Sequence, residues 1–309
     1  EYVHLDMRHL GEERILDRLE NILHLAEDFE GVDGLDEPMP VKPGQHYEMG
    51  GIETDENGET CINGLYAAGE CACVSMHGAN RLGGNALPEL LVFGARSGRH
   101  AAGKDMETAQ IPTGPSSESE DGEVDTPVAP GAIDTGDGDV AADGGALADP
   151  QAVIEDTVQR ESERIETLLE RDGINHADVR EDIQKSMTQN VNVFREESNL
   201  KDALEDIREA RERYQHVGVS DPSQTFNTDL IHTIETRNIL DLAEAITLGA
   251  LAREEFRGAH WRKQHQERKD DEWLKHTMLQ WNDGDVNLYY KPVILEGFEQ
   301  TYEPKERSY

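Results

Sequence analysis

Residues Gly64 to Gly94 read GLYAAGECACVSMHGANRLGGNALPELLVFG, and the rest of the chain is interpreted from this stretch. It opens with an apolar segment, Leu65–Ala68, which predicts a β-strand that stops before Glu70. It closes with a helix signal, because Asn85 suits an N-cap and a proline follows in the first turn. Between them lies a glycine-rich loop with one permanent cation, Arg81. Apolar residues then recur at helical spacing, at Leu87, Leu90, Leu91 and Gly94.

A strand, a glycine-rich loop and a helix in this order have a chemical use. A carboxylate at the end of a parallel strand, here Glu70, lies where open α/β sheets bind cofactors and can accept hydrogen bonds from ribose or ribityl hydroxyls. A helix N-terminus offers backbone N–H groups and a positive dipole end, which would favour an anionic reduced flavin ring. Arg81 would offer a planar fork of donors to a carboxylate. The same residues also fit a plainer structure, a strand, a loop and a core helix with one surface arginine.

This stretch resembles the C-terminal part of the flavoprotein subunit of succinate dehydrogenase and fumarate reductase. In that family a GL-x-A-x-GE strand and an HGANRLG loop close the FAD and dicarboxylate sites. A second motif of the family, HYEMGGI, lies at His46–Ile52, after Pro38–Val41. The third motif lies far downstream and comprises Arg257–His260, Glu267–Arg268 and Asp271–Thr277. The resemblance covers nearly the whole chain except an acidic stretch near residues 113–150.

The resemblance implies an FAD-dependent enzyme that oxidises succinate to fumarate, or catalyses the reverse, in the respiratory chain and the citric acid cycle. Arg81 would bind one carboxylate of the dicarboxylate substrate, and His46 would bind the other. The implied partners are an iron–sulfur subunit, which takes electrons from the flavin, and membrane-anchor subunits. The implied cofactor-binding residues are Gly50, Gly51, Glu70, Asn85, Ala86 and Leu87, with Ala86 and Leu87 acting through their backbone N–H groups.

A dinucleotide-binding fold begins with a strand, a GxGxxG turn and a helix, and this fingerprint is not found in the sequence. The resemblance therefore implies that the fingerprint, the histidine that carries FAD covalently and the proton-delivering arginine all precede Glu1. We expect the chain to be the C-terminal portion of a longer subunit. We also expect it to have no dehydrogenase activity by itself.

The predicted fold class is α/β plus all-α. The order is the C-terminal part of an FAD-binding dinucleotide-type fold, an antiparallel helical bundle predicted from apolar stripes at helical spacing, and a short C-terminal tail domain. The expected segments are the end of a capping domain with its return segment (1–40), the C-terminal part of the FAD-binding domain (41–112), a disordered acidic linker (113–150), the helical bundle (151–256) and a tail packed on the body (257–309).

Local patterns predict smaller elements. Asp-Glu-Asn-Gly at 55–58 predicts a tight turn in a hairpin that joins 52–54 to 59–62. The proline-rich segment Pro38–Pro43 predicts a turn, and Asn287–Tyr290 predicts a strand. Two histidines of the tail, His260 and His276, are expected to be structural.

The chain is strongly acidic, with 65 Asp and Glu against 29 Lys and Arg and a formal net charge of −36. This surplus argues against nucleic acid or an anionic membrane as a direct partner. Its self-repulsion largely disappears at molar salt, where the screening length falls to about 3 Å, so we hypothesise a high-salt cytoplasm of the haloarchaeal kind. The sequence shows neither an apolar run near the ~20 residues of a membrane span nor a signal peptide. We therefore expect a cytoplasmic protein that is held at the cytoplasmic face of the membrane by its partner subunits.

The sequence predicts no metal site, because Cys61, Cys71 and Cys73 have neither disulfide nor zinc spacing. The Asp-x-Asp pattern at 134–139 lacks the closing glutamate of a calcium loop. Two alternative functions remain. L-aspartate oxidase shares the HYxxGG and HGANR motifs, although the RGAHWR and ERKDDEWLKHT stretches favour succinate dehydrogenase. The other alternative is a non-catalytic, acidic helical docking module.

Overall fold

A computed structural model describes residues 2–42, 44–103, 150–223, 225–282 and 285–295. The chain divides into two compact units, Glu1–Glu48 and Met49–Tyr309. The predicted acidic linker, apart from Pro150, lies outside the described residues. Within the described part of the chain, none of the helices combines the length and the apolar character that crossing a bilayer requires.

The first unit contains two strands and one helix. Strands β1 (Val3–Leu5) and β2 (Met39–Val41) pair antiparallel, and helix α1 (Glu12–Glu30) connects them in sequence. The turn predicted at Pro38–Pro43 is wrong for Met39–Val41, because these residues pair with β1. The helix ends at Gly31, whose φ of 67° allows its amide to bond the last helical carbonyls. The core of this unit comprises Met7, Ile15, Ala26 and Met39, with Leu10, Leu19, Leu23, Val32 and Leu35 packed against it.

Three elements form the start of the second unit. Strands β3 (Ile52–Glu53) and β4 (Ala72–Cys73) pair in parallel, with Ile52 opposite Ala72. Helix α2 (Ala86–Gly103) follows and confirms the helix predicted from about Leu87 to Gly103. The predicted tight turn also forms, because the Gly58 amide donates to the Asp55 carbonyl oxygen at 3.0 Å. The hairpin predicted around that turn is wrong, since β3 pairs with β4 instead of residues 59–62.

The strand predicted at Leu65–Ala68 is also wrong. In this segment Tyr66 makes an isolated bridge with Glu59, and Leu65, Ala67 and Ala68 belong to no strand. Glycines bend the chain on both sides, because Gly64 has a φ of 83° and Gly69 a φ of 84°. Such angles are open to glycine and costly for residues with a Cβ, so the two glycines confine any extended run to the four residues between them.

Four long helices follow the undescribed segment: α3 (Pro150–Glu170), α4 (His176–Asn190), α5 (Glu197–Tyr214) and α6 (Thr228–Ala252). Two ion pairs, Arg213–Asp182 and Arg211–Glu244, join α5 to α4 and to α6, both at 2.6 Å. Two further contacts, Ser186–Asp206 and Tyr214–Thr233, show that residue numbers rise on one helix as they fall on the other. Helix α5 therefore runs antiparallel to both neighbours, which confirms the predicted bundle. Their shared core comprises Val179, Ile183, Ile207, Ala210, Tyr214, Val217, Leu240 and Ala243.

The tail of the second unit, which comprises the residues after α6 from Arg253 onwards, contains a turn, a short helix and a hairpin. Helix α7 (Asp270–Trp273) precedes strands β5 (Lys275–Asn282) and β6 (Asp285–Pro292), which pair antiparallel along their whole length. The strand predicted at Asn287–Tyr290 is confirmed as part of β6. The hairpin packs beside the C-terminal part of α6, where Thr277 and Leu279 lie near Gly249.

Candidate active site

The predicted cofactor-binding glycines and Glu70 lie close together because two backbone segments approach each other. The Ile52 amide donates to the Cys71 carbonyl oxygen at 2.8 Å. Gly51 has a φ of 127°, and a Cβ placed on it would lie 2.5 Å from that same oxygen. A side chain is therefore excluded at Gly51 by the protein's own backbone. This contact places Gly50 and Gly51 beside the Glu70–Cys71 turn, where the Glu70 side chain is exposed.

The same turn touches helix α2. A Cβ on Gly69 would lie 2.6 Å from Cδ2 of Leu90, so the backbone before Glu70 packs directly on the second turn of the helix. The structure thus brings Glu70 and the N-terminal half of α2 into one region. The predicted strand is absent there, but Glu70 lies near the start of the helix, as predicted.

Three residues of the loop before α2 have a left-handed backbone conformation. Ser75, Gly78 and Gly84 have φ values of 70°, 57° and 84°. The first α-helical bond runs from the Glu89 amide to the Asn85 carbonyl oxygen at 3.3 Å. The amides of Ala86 and Leu87 therefore precede the intrahelical ladder, at the positive end of the helix dipole.

Three glycines of this loop face open space. A Cβ placed on Gly78, Gly83 or Gly84 would meet no atom of the described chain within 4 Å. The Leu87 side chain is 70% exposed at the same helix start. An apolar surface next to peptide donors fits a flat ring with a polar edge.

Arg81 lies in this loop and its side chain is half-buried. Four residues earlier, the His77 imidazole lies 4.0 Å from the Glu89 carboxylate, and both side chains are buried. This pair joins the loop to the first turns of α2. His46 belongs to the other unit, where its side chain is exposed and its neighbour Gln45 donates to Glu48 at 2.9 Å. The structure therefore gathers Gly50, Gly51, Glu70, Arg81, Asn85, Ala86 and Leu87 in the second unit and His46 in the first.

Sequence reasoning missed the residues of the tail that hold this loop. The Ala259 amide donates to the Ala79 carbonyl oxygen at 3.0 Å. Gly258 has a φ of 58°, and a Cβ on it would lie 2.5 Å from the same oxygen. The Ser75 hydroxyl lies 3.0 Å from Nε2 of His276. The glycine of the RGAH motif was the one signal in the sequence, because glycine often marks a close backbone approach.

A buried carboxylate organises the turn that contains Gly258. Glu255 is fully buried and accepts hydrogen bonds from Arg257 at 2.7 and 3.0 Å and from Arg253 at 2.9 Å. The Lys269 amide also donates to it at 3.0 Å. Burial alone would raise the pKa of Glu255, but these hydrogen bonds outweigh it and bring the pKa below its ordinary value. Glu255 is therefore a charged anchor inside the tail.

His260 fixes the other end of that turn. Its Nδ1 lies 3.1 Å from Nη1 of Arg195, and its Nε2 lies 3.0 Å from the Arg253 carbonyl oxygen. Because guanidinium only donates and a carbonyl only accepts, the ring is neutral with its proton on Nε2. Burial, followed by the neighbouring arginine charges, lowers the pKa of His260 to about 4, against the opposing pull of the Arg253 carbonyl.

Among the described residues, the structure shows no group of three or more His, Cys, Asp or Glu side chains arranged to hold a metal ion.

Two protein-family models match the chain. The model described as FAD binding domain matches residues 1–87, and the model described as fumarate reductase flavoprotein C-term matches residues 180–309. The first match contains the glycines, Glu70 and Arg81, and the second contains the tail turn.

Curated proteins and solved structures agree with these models. The fumarate reductase flavoprotein subunit of Haemophilus influenzae is 38% identical over 95% of this chain, and the succinate dehydrogenase flavoprotein subunit of Coxiella burnetii is 35% identical over all of it. A solved quinol fumarate reductase variant of Escherichia coli is 36% identical, with a TM-score of 0.77 over 99% of this chain and 46% of that one.

The chain spans less than half of the two curated subunits, 43% and 47% of their lengths. Within this span, the relatives share both the start of the second unit and the helical bundle with its tail. The chain therefore belongs to the family of fumarate reductase and succinate dehydrogenase flavoprotein subunits, which are FAD-dependent oxidoreductases, and corresponds to part of such a subunit.

Proposed function

We propose that this chain supplies part of the FAD and dicarboxylate sites of an enzyme that interconverts succinate and fumarate. The observation that carries the proposal is the loop that presents Arg81 directly before the N-terminus of α2, next to the Glu70 turn. The relatives named as fumarate reductase and succinate dehydrogenase flavoprotein subunits support the same reaction.

In this proposal Arg81 holds the substrate. A planar guanidinium can bind a carboxylate through two parallel hydrogen bonds, which fixes the orientation of a small dicarboxylate better than a point charge does. His46 would donate a hydrogen bond to the second carboxylate. Fixing a carboxylate in this way would orient the substrate for reaction.

FAD fits the residues around α2. The amides of Ala86 and Leu87, together with the helix dipole, would stabilise negative charge on the edge of a flavin ring, with Asn85 at the helix start. Gly78, Gly83 and Gly84 leave room for the ring, and Glu70 is exposed for hydroxyl groups of the cofactor. When bound, FAD supplies the two-electron redox chemistry that the protein side chains lack.

The proposed partners are an iron–sulfur subunit that takes the electrons and membrane anchors that hold the complex at the cytoplasmic face of the membrane. Solved relatives titled as quinol fumarate reductase support this assembly. We also propose the predicted segment boundaries as domain boundaries and a high-salt cytoplasm as the setting. The net charge of −36 supports that setting.

The experiment is an assay of the full-length subunit in complex with its partners. Succinate should reduce a dye, reduced dye should convert fumarate, and L-aspartate should do neither. Turnover of aspartate without turnover of succinate would favour the L-aspartate oxidase alternative. Absence of any flavin in the purified subunit would favour the docking-module alternative.

A further inference from the structure

We propose that the C-terminal tail acts as a clamp on the loop that carries Arg81, with Gly258, Ala259 and His276 as positioning residues. The part that concerns substrate binding rests on the proposed function. The part that concerns the position of the loop rests on observed contacts between the tail and the loop. The clamp consists of two contacts on the loop, one on each side of His77, and a third on β3.

The first contact lies two residues before Arg81. Gly258 allows the tail backbone to reach the Ala79 carbonyl oxygen, and the Ala259 amide then bonds that oxygen at 3.0 Å. Since a Cβ on Gly258 would lie 2.5 Å from the same oxygen, the approach requires glycine. A hydrogen bond to a loop backbone this close to Arg81 limits how far its Cα can move.

The second contact lies at the start of the loop. Ser75 has a φ of 70°, which is unusual for a residue with a side chain. Its hydroxyl lies 3.0 Å from Nε2 of His276, and burial lowers the pKa of His276, which favours the neutral ring. The bond from β5 thus holds Ser75 in a backbone conformation that costs free energy.

The third contact joins the tail hairpin to the strand beside Glu70. Lys291 on β6 forms an ion pair with Glu53 on β3. The tail residues next to Gly258 are held in place, because Glu255 forms ion pairs with Arg253 and with Arg257. A network of charged hydrogen bonds therefore sets the position of Gly258, and Gly258 sets the position of Ala79.

The test compares Gly258→Ala with Gly249→Ala in the full-length subunit. Gly249 is a matched control, because a Cβ on it would make ordinary contacts of 3.8 and 3.9 Å with Leu279 and Thr277. Gly258→Ala should raise the hydrogen-exchange rates of amides in residues 75–84 by about tenfold or more. It should also raise KM for succinate by about fivefold or more, with a smaller effect on kcat and with flavin content unchanged. Gly249→Ala should change neither quantity.

The clamp is refuted if loop exchange in Gly258→Ala equals that of the parent, or if Gly249→Ala produces the same increase. Because exchange is measured without substrate, it tests the clamp even if the subunit turns over no succinate, in which case the proposed function alone fails. Ser75→Gly provides a second variant that tolerates the positive φ but lacks the hydroxyl. It should raise exchange at residues 74–77, and unchanged exchange there would also overturn the proposal.

Discussion

Glu255 and Arg257 form a two-pronged ion pair inside the tail, with N–O distances of 2.7 and 3.0 Å and no exposed surface on the glutamate. Glu255→Gln would keep the shape of the side chain but remove the buried carboxylate that Arg253 and Arg257 share, which leaves Arg257 with Asp270 at 2.6 Å as its remaining ion-pair partner. We expect the free energy of unfolding to fall by about 3–5 kcal/mol, the range found when one partner of a buried pair is removed. Urea unfolding followed by tryptophan fluorescence measures the loss, since Trp273 lies beside Arg253.

Glu272→Gln is the control for this prediction. Glu272 lies on α7 in the same tail, and its side chain is exposed. Removal of an exposed charge should change the free energy of unfolding by no more than about 0.5 kcal/mol. Equal losses in the two variants would contradict the role given to the buried carboxylate.

The stability of the tail should depend on pH through His260. Its pKa falls from an ordinary 6.5 to about 4 in the folded protein, chiefly through burial. As the pH drops below 6.5, the unfolded chain binds the proton first, so stability present above pH 6.5 is lost progressively towards pH 4. At about 1.4 kcal/mol for each pKa unit, the loss approaches ~3 kcal/mol.

Unfolding free energies of the parent and of His260→Gln, measured from pH 7 to pH 4, check this expectation. The variant cannot take up this proton, so its stability should fall less steeply with decreasing pH. His24→Gln is the matched control, because His24 is exposed on α1. Parallel curves for the parent and His260→Gln would contradict the assignment of a neutral, buried ring.

Elements that depend on local periodicity could be predicted from the sequence. The apolar stripes of α4 and α5 lie on single helix faces, and residues such as Val179 and Ile207 share a core with Leu240 of α6. The apolar pattern is a poorer guide in α6 itself, because Leu242 is 61% exposed and three threonines are among the buried residues. The start of α2 could also be predicted, because Asn85 and the proline of the first turn are local signals. These predictions succeed because the residues that specify each element lie within that element.

Non-local contacts account for the errors. Leu65–Ala68 has the composition of a strand, but only Tyr66 makes a bridge, with Glu59, and the partner of β3 is Ala72–Cys73. The tail contact is a stronger case. The spacing of the RGAH motif does not indicate that Gly258 meets Ala79, because that contact depends on the path of the whole bundle between them.

The acidic surface should make the folded protein more stable at high salt than in dilute buffer. With a net charge of −36, carboxylates repel one another until ions screen them. We expect the unfolding temperature to rise by roughly 10 °C or more between 0.1 M and 2 M KCl. A variant with exposed glutamates of α3 changed to glutamine, at Glu155, Glu163 and Glu166, should show a smaller rise. An unfolding temperature that is independent of salt would refute the high-salt proposal.

The proposed binding of a substrate carboxylate by Arg81 gives the most direct functional prediction. In the full-length subunit, Arg81→Lys should leave FAD bound, because Ala86 and Leu87 offer backbone amides that the substitution does not touch. Turnover of succinate should fall by more than about tenfold, since an ammonium keeps the charge but not the planar pair of donors. Flavin absorbance and steady-state kinetics measure the two effects. Arg99→Lys, exposed on α2, should behave as the parent, and unchanged turnover in Arg81→Lys would remove Arg81 from the site.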